Sequence, residues 1–302
     1  MDANKIQIKT IIDKINLDKK QYIEECEENF NKEIRNIAQK VVSDRNIKFI
    51  LLAGPSSSGK TTTSKIIADE IEKNGFNAFP MSLDDFFLEH DDTPLWEDGS
   101  YNFETHEALD WKCFGECVKS LLAGKPTLLP IFDFVAGHRV WNEEPTVITE
   151  NTIVVLEGLH ALHPIIDNFI PTKNGYKIFI STNTDIYDGD EIFINHKQVR
   201  FYRRLIRDLF SRNISIERTM KNWEKVNRGE ELYIGPYVDT ADYKIDSFHQ
   251  FELGVYNYIL NENKNFDTDS LSEAVGKINQ FSYIDPKLLP KTSVLQEFVP
   301  NK

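Results

Sequence analysis

Residues 54–62 read GPSSSGKTT, so Gly54, Gly59, Lys60 and Thr61 fall in the spacing G-x-x-x-x-G-K-[ST]. Glycine at both ends lets the backbone turn sharply enough for successive N–H groups to face phosphate oxygens. The lysine suits the β- and γ-phosphates of a nucleotide, and the Thr61 hydroxyl suits Mg²⁺. Ser56, Ser57, Ser58 and Thr62 complete the cradle. A chance Gly/Ser turn is the plain alternative. It leaves the flanks unexplained, because the apolar run IKFILLA precedes the loop and a helical pattern follows it.

Two acidic positions could act on a nucleotide held there. MSLDDFF ends an apolar stretch in Asp84 and Asp85, and TIVVLEG ends another in Glu157. A carboxylate at the C-terminal end of a strand can take the proton of an attacking hydroxyl or hold Mg²⁺. Taken singly, each could be an ordinary solvated strand end. Positive charge comes from VRFYRRLIRD, where Arg200, Arg203, Arg204 and Arg207 share one helical face, with Arg212 just beyond. Such a face suits a lid over a polyphosphate. For part of it, a solvated surface paired with Asp and Glu is the alternative.

The elements that must position these residues alternate. Strands are expected at 47–53, FNAFPMSL, TLLPIFDF, NTIVVLEG and YKIFIST, and helices at 60–74, 106–123, 195–213, 215–228 and 249–261. Interleaved strands and helices predict an α/β fold, a P-loop NTPase-type parallel sheet with helices on both faces. Residues 1–45 carry Ile8, Ile11, Ile12, Ile15, Tyr22, Ile23, Phe30, Ile34 and Ile37 at helical spacing, a helical N-terminal extension before a P-loop domain at 46–302. The last twenty residues, with Pro286, Pro290 and Pro300, predict an extended tail packed on the body.

A net charge of −13 argues against a nucleic-acid or membrane surface, so basic residues must be concentrated locally. Cys26, Cys113 and Cys117 make neither a disulfide framework nor a metal set. No apolar run approaches a membrane span and no signal-peptide core is present, so the expected compartment is cytoplasmic. His160 and His163 form H-x-x-H, which without two more ligands reads as packing rather than zinc. His90 lies in an acidic loop, exposed or part of a substrate flap.

In order and approximate spacing, GPSSSGKTT, SLDDFF, YNFETHEALD, LPIFDFVAGHR, VVLEG and RFYRRLIRD resemble the uridine kinase and phosphoribulokinase-like branch of P-loop kinases. RTMKNWEKVNRGEELYIGPYVDTADYKID and LLPKTSVLQEFVP look closer to bacterial nucleoside kinases, so the resemblance covers roughly 47–300. It implies ATP and Mg²⁺ as cofactors and a nucleoside 5′-hydroxyl as acceptor. Asp84 matches the catalytic base, and Glu104 stands where an Asp grips the ribose hydroxyls. Phe132 and Phe134 match positions flanking the base, His138 and Arg139 the base-reading loop, Arg203 and Arg207 the sugar and phosphates, and Arg212 the lid. Two departures weaken pyrimidine specificity and leave purine or broad nucleoside acceptance open. Phe132 stands for the usual Tyr, and Gly137 for the base-reading His, with His138 displaced by one. The resemblance also implies a homo-oligomer.

Other readings stay in view. A sugar-phosphate or pantothenate kinase shares the motifs, but the acidic 84–110 region favours a neutral acceptor. A GTP-driven switch needs N-K-x-D and D-x-x-G; NENKNFD lacks the first, and no Asp stands three before a Gly. An inactive scaffold is disfavoured by intact Lys60, Thr61, Asp84 and Glu157.

Overall fold

The computed structural model describes residues 3–134, 136–262 and 271–300; most of NENKNFD and Val135 of the VAGHR loop lie outside them. The chain begins with β1 (Asn4–Gln7), α1 (Ile8–Ser43), β2 (Phe49–Ala53), α2 (Lys60–Lys73) and β3 (Asn77–Ser82). Next come α3 (Trp111–Leu122), β4 (Pro130–Asp133), β5 (His138–Trp141), β6 (Thr152–Gly158) and β7 (Gly175–Ser181). After β8 (Thr184–Asp188) and β9 (Glu191–Ile194) the chain is mainly helical. It runs through α4 (His196–Ser211), α5 (Ile216–Gly229), the short β10 (Tyr243–Asp246), α6 (Glu252–Glu262) and α7 (Ser272–Ile278).

Five strands form the central parallel sheet in the order β10-β7-β2-β6-β3. The inner strands FILLA and TIVVLEG are buried along their whole length, which is why they read as unbroken apolar runs. Pro80 sits in β3, an edge strand, where a missing N–H breaks no inner ladder. Phe49, Leu51 and Ala53 belong to the apolar cluster containing α3; Ile50 and Leu52 belong to the one containing α1, α2 and α6. Alternate residues of one strand therefore feed two cores, and helices cover both faces.

The apolar stripe of α1 is buried in the cluster shared with α2 and the tail residues Val294, Leu295 and Phe298. Its helical path breaks once, at Asp18, whose Oδ1 accepts from the N–H groups of Lys20 and Gln21 at 3.1 and 3.0 Å and caps the second segment.

Several boundaries differ from the sequence expectation. The helix expected from 106 starts at Trp111, because the Asp110 side chain accepts from Cys113 N and caps it there. TLLPIFDF does not join the central sheet: among the described residues β4 pairs only with β5, as an antiparallel hairpin. The small sheet β1-β8-β9 and the edge strand β10 are additions; each of their strands is only four or five residues long, too short for a clear periodicity. All three cysteines are free thiols. No helix among the described residues is long and apolar enough to cross a membrane.

Candidate active site

The loop from 54 to 59 joins β2 to α2 at the C-terminal edge of the sheet. Gly54 is fixed by close approach: a Cβ there would lie 2.2 Å from the Ile180 carbonyl oxygen on β7. Gly59 has φ +88°, and a Cβ would fall 2.5 Å from Val294 Cγ2 in the C-terminal tail. Ser57 is also left-handed, at φ 62°. These constraints hold a tight concave turn ahead of the first turn of α2, whose partial positive charge favours an anion.

Helix α4 holds this turn from behind. The Asn195/Gln198 capping box starts the helix. Arg200 Nη1 donates to Ser56 O at 3.3 Å, and Arg203 Nη1 donates to Ser57 O and Ser58 O at 3.4 Å each. Three successive loop carbonyls thus turn outward to guanidinium groups. Both arginines are fully buried. Arg203 is clamped by Glu252 at 2.7 and 3.0 Å, and by Ser247 Oγ and O at 3.0 and 2.7 Å. The expectation that Arg203 touches substrate is therefore corrected: its fork is spent on Glu252 and the loop backbone, and it does not line the cleft.

In front of the loop lies a cleft of about 810 Å³. Ser56, Ser57, Gly59, Lys60, Thr61, Asp84, Glu104, Phe134, Glu157, Arg207 and Arg212 all border it. The register of the sheet brings the acids together. Ser82 of β3 and Leu52 of β2 flank Glu157 of β6, and Glu157 Oε1 accepts from Thr61 Oγ1 at 3.2 Å and Ser82 Oγ at 3.1 Å. Ser82 Oγ also accepts from Asp84 N at 3.2 Å, starting the turn that carries Asp84.

Burial, with Asp84 beside it, pushes the Glu157 carboxyl up to about 7, against the pull of Lys60. Burial pushes Asp84 up as well, opposed chiefly by Lys60. Glu104 rises to about 7 through burial, with Arg204 and Lys60 resisting. In an acidic chain the cleft gathers five cations, Lys60, Arg204, Arg207, Arg212 and Arg218, against Asp84, Glu104, Glu157 and Glu297.

Other expected site residues lie elsewhere. Gly54 and Ser58 sit behind the loop, and the Thr62 hydroxyl donates to Glu297 Oε2 at 3.3 Å. Asp85 Oδ1 accepts from Phe132 N, which ties β4 to the turn. Phe132 is buried against Phe87, while Phe134 is exposed in the cleft. His138 and Arg139 are not brought to the cleft. His138 lies exposed on the outer hairpin, and Arg139 pairs at 2.8 Å with Asp110, the cap of α3. The space beside Gly137 is filled by the His90 ring, which stacks on Tyr101 with centroids 4.5 Å apart.

Sequence reasoning missed Phe87, Phe103, Leu159, Ile214, Arg218 and Glu297 in the cleft wall. Phe87 had a signal, three residues after Asp84; Glu297 had none.

His160 is buried beside His163 and His106. Among the described residues no group of three or more His, Cys, Asp or Glu side chains is arranged to hold a metal ion. Burial and the two neighbouring rings hold His160 down at about 3, and burial with His106 holds His163 at about 4. The unfolded chain protonates near 6.5, so the stability these rings contribute is full above that pH and declines as pH falls. His160→Gln is expected to flatten the loss of unfolding free energy between pH 6.5 and 5 by up to ~1.4 kcal/mol per pH unit. Urea unfolding at several pH values reads it; parallel slopes for variant and wild type would count against a buried neutral ring.

The residues fit a phosphate and a divalent cation. Ser57 Oγ and Ser58 Oγ are buried without a hydrogen-bond partner in and behind the cradle, and Thr61 and Glu157 present two oxygens side by side. One carboxylate plus a hydroxyl, completed by phosphate oxygens and water, is a Mg²⁺ donor set.

Residues 49–253 match the phosphoribulokinase / uridine kinase family. A uridine kinase from Deinococcus deserti is 27% identical over 192 residues, 63% of this chain and 83% of that protein. One from Schizosaccharomyces pombe is 25% identical over 272 residues, 85% of this chain but 56% of that longer protein. Among solved structures, D-glycerate 3-kinase from Cryptococcus neoformans is 15% identical, with a TM-score of 0.48 over 68% of this chain and 89% of that one. The chain belongs to the phosphoribulokinase / uridine kinase family and is a kinase.

Proposed function

We propose that the protein transfers the γ-phosphoryl group of ATP to the 5′-hydroxyl of a nucleoside, with uridine the first acceptor to test. The observation that carries the reading is one cleft in which Asp84 and Glu104 face the phosphate loop beside Phe134 and Phe103. Carboxylates at the acceptor end suit a neutral polyol, and aromatic faces suit a planar base.

In the proposed reaction Asp84 accepts the proton of the 5′-hydroxyl as that oxygen attacks phosphorus. The bond from phosphorus to the bridging oxygen breaks, and ADP leaves with the electron pair. Lys60 and the loop amides hold the phosphates, while Arg207 and Arg212 offset charge on the transferring group. Mg²⁺, held through Thr61 and Glu157, would neutralise β- and γ-oxygens. The upward push on Asp84 suits a base, since a more basic carboxylate drives proton transfer better. Glu104 would accept from the ribose hydroxyls when ionised.

The two phenylalanines separate by readout. Phe134→Ala is expected to raise the acceptor KM by roughly 3- to 10-fold, the loss of one stacking contact. Phe132→Ala is expected to cost about 3–5 kcal/mol of stability instead. Steady-state kinetics beside thermal unfolding distinguishes them, and a pure KM effect at Phe132 would reverse the assignment.

A sugar-phosphate acceptor is the second reading. Arg218, which lines the cleft and an adjoining 310 Å³ chamber with Trp96, Tyr101 and Lys225, is the observation favouring it. Labelled ATP with a panel of nucleosides, sugar phosphates and pantothenate decides between them. Transfer to nucleosides supports the proposal, and transfer to ribulose 5-phosphate alone refutes it.

A further inference from the structure

The last described stretch of the chain does more than pack against the body. Ser293 caps a short turn over Val294–Glu297, accepting from Leu295 N at 3.2 Å. Ser293, Val294, Leu295 and Phe298 are fully buried. Val294 presses on Gly59, and the Phe298 ring lies beneath the guanidinium groups of Arg203 and Arg207 at 5.0 and 6.0 Å. A turn held so firmly aims its one charged side chain. Glu297 Oε2 accepts from Thr62 Oγ1 at 3.3 Å, and Oε1 accepts from Arg207 Nη1 at 3.3 Å.

Thr62 is in the first turn of α2, directly after the lysine and threonine of the phosphate loop, and Arg207 lines the same cleft. A hydroxyl at a helix N-terminus and a guanidinium within reach of one another are donors that suit a phosphate. Here one carboxylate bridges them. Arg207 has little else: Asp208 lies 4.0 Å away and is shared with Arg204 at 3.2 Å and Arg212 at 3.7 Å. Burial, with Arg212 nearby, brings Arg207 down to about 10.

We infer that Glu297 sets the affinity of the phosphate cradle, its carboxylate standing where a nucleotide phosphate would otherwise meet Thr62 and Arg207. An incoming polyphosphate must displace this carboxylate or bind beside it, against like-charge repulsion in a partly buried site. The tail is thereby a part of the nucleotide site that weakens binding. The inference rests on the loop being a nucleotide cradle, and it is independent of which acceptor is phosphorylated.

Titration calorimetry of the full chain with ADP, and separately with inorganic tripolyphosphate, tests it. Glu297→Gln keeps the shape and removes the charge, and is expected to tighten both ligands by about tenfold. Glu297→Asp keeps the charge and is expected to bind like wild type. Thermal unfolding confirms that each variant is folded. Equal or weaker binding by Glu297→Gln overturns the inference while leaving the cradle intact. Equal tightening by Glu297→Asp also overturns it, since a loosened tail rather than lost charge would then be the cause. No binding by any of the three proteins overturns the inference and the cradle together.

Discussion

Asp84→Asn is expected to lower kcat by about 10²- to 10⁴-fold, the range a positioned general base supplies. ADP affinity should stay within about twofold of wild type, because Asp84 is proposed to act at the γ-phosphoryl group, which ADP lacks. The substitution preserves shape and the backbone bond to Ser82, so the turn at 83–86 has no reason to rearrange. What disappears is the acceptor for a proton. Loss of a neighbouring negative charge should also let Glu157 ionise more readily, since Asp84 is among the groups pushing its carboxyl up. The variant should therefore hold nucleotide and fail at chemistry. Near-wild-type turnover in the folded variant would remove Asp84 from the proposed mechanism.

Arg203→Ala is expected to act on stability first, by about 3–5 kcal/mol, because it leaves Glu252 buried without its partner. Glu252 would retain bonds from Tyr256 Oη at 2.8 Å and His249 N at 3.2 Å, which compensate only in part. Two loop carbonyls, those of Ser57 and Ser58, would also lose their donor. The double variant Arg203→Met with Glu252→Leu should regain part of the loss, since two apolar groups of similar volume replace a buried ion pair without stranding a charge. Chemical unfolding measures both effects. A wild-type unfolding curve for Arg203→Ala, with only kcat reduced, would return that arginine to the substrate.

These two cases mark how far the sequence could be read. The phosphate loop was legible because its chemistry is local: glycines, lysine and threonine at fixed spacing between a strand and a helix. Glu157 was legible because a buried parallel strand announces itself as an apolar run, and Asp84 because it follows β3 at the same C-terminal edge of the sheet, where ligands bind. The arginine face was legible as a face, but helical spacing cannot say which members turn inward. Arg200 and Arg203 face the loop backbone, whereas Arg204, Arg207 and Arg212 face the cleft. Partners decided the outcome: Glu252, forty-nine positions away from Arg203, fixed its role. The hairpin β4–β5 shows the same limit. A register that buries Phe132 and exposes Phe134 depends on pairing with β5 and on Asp85, and neither can be read from alternation alone. Glu297 was wholly unreadable, because a lone acid in a Pro-bounded tail acquires meaning only when the tail folds back onto Gly59 and Thr62.

The most direct test is product identification after incubation with ATP, Mg²⁺ and uridine, read by phosphorus NMR, with 5′-deoxyuridine in parallel. Uridine should yield a 5′-monophosphate and ADP in equal amounts, and the deoxy analogue should yield neither. Equal ADP release with both compounds would contradict transfer to the sugar hydroxyl beside Asp84.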